Sequence, residues 1–120
     1  MSDIRVDTIS AANGTDPVTL TKQIAAKVWA RYDGSSVISD SFNVSSTTDG
    51  INAGETTIFY TSSMSDANYA TQATCNGTSG DRWVTVSNQT GGECTAWAWD
   101  ASAITRTDLP VGLICTGDLA

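Results

Sequence analysis

Ala25-Ala26-Lys27-Val28-Trp29-Ala30-Arg31-Tyr32 is the stretch on which the fold class turns. Its alanines invite a helix, but Val28, Trp29 and Tyr32 are β-branched or aromatic and fit a pleated, half-buried strand better. The residues that follow settle the choice. Asp33-Gly34-Ser35-Ser36 is turn chemistry, and Val37-Ile38-Ser39-Asp40-Ser41-Phe42-Asn43-Val44 supplies a second apolar run, so the two read as a β-hairpin with Ile38, Phe42 and Val44 on one face of its second arm.

The same grammar extends in both directions. Upstream, Ile4-Arg5-Val6-Asp7-Thr8-Ile9 alternates apolar and polar residues as a strand or extended arm, Asn13 to Pro17 is a break, and Val18-Thr19-Leu20-Thr21 again has period two. Downstream, a polar turn from Ser45 to Glu55 centres on Asp49-Gly50. Strands are then expected over Thr56–Thr61, with Ile58 and Tyr60 inward, and over Asn68–Cys75, with Tyr69, Thr71, Ala73 and Cys75 on one face. Further strands follow at Arg82–Val86, Cys94–Trp99 and Val111–Cys115. Eight or nine short strands with no convincing helix predict an all-β antiparallel β-sandwich, jelly-roll or immunoglobulin-like, with an extended N-terminal arm. Residues 1–24 form the arm and 25–120 the sandwich body.

At 120 residues the chain is one domain, able to build a core but not a large one. Ser and Thr fill 32 of its positions and charged residues only 16%. The net charge of −7 opposes binding to a polyanion, so nucleic acid is not an expected partner. Charge is also split: residues 1–31 carry +1 and residues 32–120 carry −8, as suits a leader that docks and a body that faces solvent. Met1-Ser2-Asp3-Ile4-Arg5 has no apolar secretion segment and no apolar run approaches a bilayer-spanning length, so membrane insertion is not expected.

Histidine is absent, which excludes the Ser-His-Asp triad, the Cys-His pair and imidazole metal sites. Cys75, Cys94 and Cys115 are odd in number and spaced unlike any CxxC motif, so buried free thiols are expected. Asp40, Asp49, Glu55, Asp66, Asp81, Glu93, Asp100 and Asp108 are scattered, mostly in expected turns, where Asp caps local backbone. Nothing in their spacing makes a glycosidase pair or a DxDxDG calcium loop. Neither an enzyme nor a metal or other cofactor is expected. Asn13, Asn43, Asn76 and Asn88 begin Asn-X-Ser/Thr triplets, a chance pattern in a chain this rich in Ser and Thr.

One segment remains open. Along Cys94-Thr95-Ala96-Trp97-Ala98-Trp99 the small residues Cys94, Ala96 and Ala98 share one face and Thr95, Trp97 and Trp99 the other. Either the indoles enter the core, or they form a broad outward ridge that, with Trp83, serves as a subunit interface or a carbohydrate-stacking surface.

Four stretches resemble a group of small virion surface domains of tailed bacteriophages, especially marine phages, found in tail fibres and head appendages. The leader Ile4–Ile9 with Pro17-Val18-Thr19-Leu20-Thr21-Lys22-Gln23 looks like their opening. Ala25 to Gly34 is similar to their Ala-Lys-Ala-Trp-Val-Asn-Phe-Asp-Gly strand. Asp40 to Ser46 followed by Asp49-Gly50 is similar to their Ser-Phe-Asn-Val-Ser-Ser segment and acidic-Gly turn. Thr57-Ile58-Phe59-Tyr60-Thr61 with Met64 to Tyr69 completes a likeness over residues 3 to 74; the sequence departs after Cys75, with Trp97-Ala98-Trp99 and a Cys115-Thr116-Gly117 ending.

The resemblance implies a non-enzymatic homotrimer on a virion surface, made in the host cytoplasm. It would be a short fibre or spike that attaches to the host, or alternatively a capsid decoration (cement) protein that stabilises the head. The arm, through Ile4, Val6 and Ile9, would hold other virion proteins. Trp83, Trp97 and Trp99 would face a host glycan or protein.

Overall fold

The computed structural model describes residues 26–76, 81–102 and 104–117. Ile4, Val6, Ile9 and the expected boundary at residue 24 lie outside the described residues. Nine strands are described: β1 (Ala26–Tyr32), β2 (Ile38–Phe42), β3 (Val44–Asp49), β4 (Glu55–Tyr60), β5 (Ala70–Cys75), β6 (Arg82–Ser87), β7 (Glu93–Asp100), β8 (Thr105–Arg106) and β9 (Val111–Thr116). All pairings are antiparallel, in two sheets of order β2-β1-β9-β5 and β3-β4-β7-β6, with β8 added to the end of β7. They pack as a sandwich, as the alternation predicts.

Period-two burial builds the core. Val28, Ala30 and Tyr32 of β1 and Val111, Leu113 and Cys115 of β9 face inward from one sheet. Ile58 and Tyr60 of β4 and Cys94, Ala96 and Ala98 of β7 face them from the other. These four central strands carry most of the apolar burial that drives folding. Ile58, Tyr60, Tyr69 and Ala73 fall on the side expected from the sequence.

Two expectations need correction. The arm from Val37 to Val44 is two strands, not one: β2 ends at Phe42, Asn43 takes φ 57°, and Val44 opens β3 in the opposite sheet. Phe42 therefore points to solvent while Val44 packs against the core. Asn tolerates this left-handed conformation, and its side chain secures the crossing: Nδ2 donates to the Lys27 and Ser62 carbonyls at 3.1 and 3.0 Å, and Oδ1 accepts the Ser62 N–H at 2.7 Å. Likewise Ser45 to Glu55 is not one polar turn. It contains most of β3, a hydroxyl-rich edge strand paired to β4, and the true turn is confined to residues 50–54. Thr is a good strand former even where little apolar side chain is available, and an edge strand needs only one buried face.

Tyr60 and Tyr69 tie the sheets at one flank, edge to face with centroids 6.0 Å apart. The Tyr60 hydroxyl donates to that of Tyr69 at 2.9 Å, and the Tyr69 hydroxyl donates to the Glu93 carbonyl at 2.9 Å. Burial pushes the Tyr69 phenol up to about 12 and raises Tyr60 further.

Cys94 and Cys115 are buried between the sheets, each beside the Tyr60 hydroxyl, and Cys75 is half-buried. The neighbouring Cys115 thiol and burial both push the Cys94 thiol upward. Only Cys75 is accordingly expected to react with a water-soluble thiol reagent in the folded protein, the other two following at the rate of unfolding. Counting labels by mass before and after denaturant checks this. Rapid labelling of all three without denaturant contradicts it.

Candidate functional site

β7 decides which surface is which. The intersheet layer already holds Tyr32, Tyr60, Ile58 and Leu113, so β7 contributes only its small side chains, Cys94, Ala96 and Ala98, to the inside. Close packing leaves no room there for indoles. Trp97 and Trp99 therefore emerge on the outer face, which resolves the open reading of this strand in favour of an outward ridge.

Register then gathers the predicted residues. Trp83 of β6 lies directly opposite Trp99, and Thr85 opposite Trp97. The Trp83 and Trp99 rings are within 8° of parallel with centroids 6.0 Å apart, an offset arrangement. On the other side, β8 places Arg106 opposite Trp99. Its guanidinium carbon lies 4.0 Å from the Trp97 ring centroid and 5.1 Å from that of Trp99. Aromatic pairs and exposed cation–π contacts each contribute on the order of 1 kcal/mol, so the cluster is pre-ordered rather than merely exposed.

The polar handles are already used within the protein. The Trp97 Nε1–H donates to Ser87 Oγ at 2.8 Å and the Trp99 Nε1–H reaches Thr85 Oγ1 at 3.4 Å. Arg106 covers one face of Trp97, whereas Trp83, on edge strand β6, stays 40% exposed and offers the freest ring of the three. At the end of the cluster Arg82 and Asp100 approach to 3.7 Å. Hydrogen bonds from the Ser102 hydroxyl and N–H, and then Arg82, hold the Asp100 carboxyl below its usual range.

All three predicted tryptophans are thus brought together. Arg106 was not singled out by sequence reasoning. Nothing in Thr105-Arg106-Thr107 marks it; only the register of a two-residue strand brings it over the indoles.

Several other carboxylates serve the backbone. Asp33 Oδ1 accepts the Ser35 and Val37 N–H groups at 2.9 Å, Asp66 accepts that of Asn68, and Asp108 that of Gly54. No three His, Cys, Asp or Glu residues converge as a metal site among the described residues. What the tryptophan cluster offers is aromatic surface, with the Ser87 and Thr85 hydroxyls beside it engaged by the Trp97 and Trp99 N–H groups.

A second surface lies on the outer face of the other sheet. Trp29 pairs directly with Phe42 on one side and Ile114 on the other, forming an apolar row across β2, β1 and β9. Phe42 is 53% and Ile114 47% exposed. Beside this row, Gly112 lies between Arg31 and Thr74, and its missing side chain opens a cleft of about 350 Å³ that also touches Asn76 and Pro110.

No family model, curated protein or solved structure matches the chain.

Proposed function

We propose that this chain is a non-enzymatic binding domain of a tailed-phage virion surface, a short fibre or spike that attaches the particle to host glycan through Trp83, Trp97 and Trp99. The observation that carries the glycan reading is the outward tryptophan cluster itself. Trp83 and Trp99 lie parallel, Arg106 packs over Trp97 and Trp99, the N–H groups of Trp97 and Trp99 are satisfied by Ser87 and Thr85, and Trp83 keeps an open ring. An ordered apolar surface suits the C–H faces of a pyranose, because water leaves an exposed ring on binding while the rings need no reorientation and the Trp97 and Trp99 N–H groups lose no partner.

The virion setting comes from the resemblance over residues 3 to 74, which also supplies the homotrimer, the attachment arm of residues 1–24 and assembly in the host cytoplasm. Four hairpins held within single sheets, β1–β2, β3–β4, β6–β7 and β7–β8, support an immunoglobulin-like rather than a jelly-roll wiring, with a strand order of its own.

Titration of the full chain against arrayed pyranose oligosaccharides tests the glycan reading. Trp83→Ala is expected to weaken binding roughly 30-fold, the loss of about 2 kcal/mol typical of an anchoring aromatic, while circular dichroism stays unchanged. Unaltered affinity in Trp83→Ala, or no glycan bound by the parent chain, overturns it. The alternative, a capsid decoration protein, is favoured by the apolar row on the opposite face, a surface suited to clamping protein. It predicts that particles lacking the protein lose head stability and that Trp83→Ala particles behave as wild type.

A further inference from the structure

We propose that the outer face of the β2-β1-β9-β5 sheet receives the β3–β4 hairpin tip of a second copy of this chain; this rests on the self-association read above. Four observations converge on it.

The first is the face. Half-buried Trp29 between exposed Phe42 and Ile114 makes an apolar row, in register across three strands. Rows of this kind on a soluble domain mark interaction sites.

The second is a fitting knob. Ile51, at the tip of the β3–β4 turn, is 102% exposed, so its side chain touches nothing in its own copy. The tip is narrow, closed by Gly50 N–H to the Glu55 carbonyl at 2.8 Å and Glu55 N–H to that of Asn52 at 3.2 Å. The cleft over Gly112, about 350 Å³ and walled by Arg31, Thr74 and Asn76, suits the polar backbone of such a turn, with Ile51 laid on the apolar row at Ile114 two residues along β9.

The third is charge. Arg31 walls the cleft and makes no ion pair with any described residue, because its cross-strand partner Asp40 turns to accept the Ser41 N–H at 2.9 Å. The tip carries Asp49 and Glu55 on either side of Ile51. Within an acidic body, the face that offers a free guanidinium is complementary to such a tip, and at physiological salt a Debye length of about 8 Å screens the more distant carboxylates.

The fourth is height. The tip and the cleft lie at the same end of the sandwich: Ser36, in the turn after β1, donates to Asp49 Oδ1 at 3.3 Å, and Asn76 N–H bonds the Pro110 carbonyl at the mouth of the cleft. A head-to-tail contact closes into a ring about an axis parallel to the strands only when its two halves sit at one level. Here they do.

Light scattering of the full chain at micromolar concentration in moderate salt tests the contact. The parent chain is expected to show a multiple of 12.5 kDa. Ile51→Ser and Arg31→Glu, both at exposed positions, are expected to raise the dissociation concentration roughly tenfold or more with circular dichroism unchanged. An oligomer that survives both substitutions overturns this contact and leaves self-association standing. A parent chain that stays monomeric overturns both. If deleting residues 1–16 from such a monomer speeds amide exchange at Trp29 and Ile114, the face belongs to the chain's own leader instead.

Discussion

Gly54→Ala is expected to lower the unfolding free energy by about 3 kcal/mol, a large part of the roughly 5–15 kcal/mol that holds a domain of this size together. Gly54 ends the β3–β4 turn with φ +73°, a region that costs an L side chain on the order of 1–2 kcal/mol. A Cβ there would also stand 2.5 Å from the Ala98 carbonyl oxygen and 2.9 Å from the Thr107 backbone nitrogen. Those are main-chain atoms that cannot swing aside, and overpacking of this kind adds roughly 1–3 kcal/mol. The position is a junction: the Gly54 carbonyl accepts the Ala98 N–H at 2.8 Å, and its own N–H donates to Asp108. Displacing it disturbs β4, β7 and the segment leading to β9 together. In thermal denaturation the midpoint should fall by roughly 10 °C, while Gly92→Ala, with nothing within 4 Å of the added Cβ, should shift it by a degree or two. Equal midpoints for the two variants would refute the argument.

The strands most legible in the sequence are those whose alternation contrasts apolar with polar residues. Val28-Trp29-Ala30-Arg31-Tyr32 is a strand as expected, and Thr56-Thr57-Ile58-Phe59-Tyr60 buries the side expected, because one face must meet the opposite sheet and a slip by one residue would invert every side chain. β3 was hidden because Ser45, Ser46, Thr47 and Thr48 look like a turn by composition; what makes them a strand is the partner β4, a non-local fact. The break at Asn43 was hidden for a related reason. A single left-handed residue sends the chain to the other sheet, and its signature is one Asn among many polar residues.

The tryptophan cluster was half legible. Period two placed Trp97 and Trp99 together, but could not say on which side of the sheet, since both faces of β7 are uncharged between Cys94 and Trp99. The volume supplied by Tyr32, Tyr60 and Leu113 from other strands decided it. Trp83 and Arg106 joined the cluster through registers that no local pattern encodes. The thiols follow the same logic: Cys94 and Cys115 are inward because alternation puts them there, and they meet because two distant strands face each other.

Leu113 and Ile114 provide the sharpest test of that face assignment, being adjacent in sequence and opposite in environment. Leu113 is buried at the centre of β9, between Ala30 of β1 and Ala73 of β5, with both neighbours small. Neither directly opposite side chain can fill its place, so Leu113→Ala leaves a cavity and is expected to cost about 3–5 kcal/mol, near the upper end for such truncations. Ile114 stands one residue on, 47% exposed beside Trp29. Ile114→Ala removes apolar area already half in water and is expected to change stability by less than about 1 kcal/mol. In urea denaturation Leu113→Ala should therefore lose most of its midpoint with an unchanged slope, and Ile114→Ala should overlay the parent. In light scattering the order reverses: Ile114→Ala, fully folded, should weaken self-association, because its side chain belongs to the face that receives Ile51. A β9 shifted by one residue would exchange the two stability results, and a self-association indifferent to Ile114 would move the contact off this sheet.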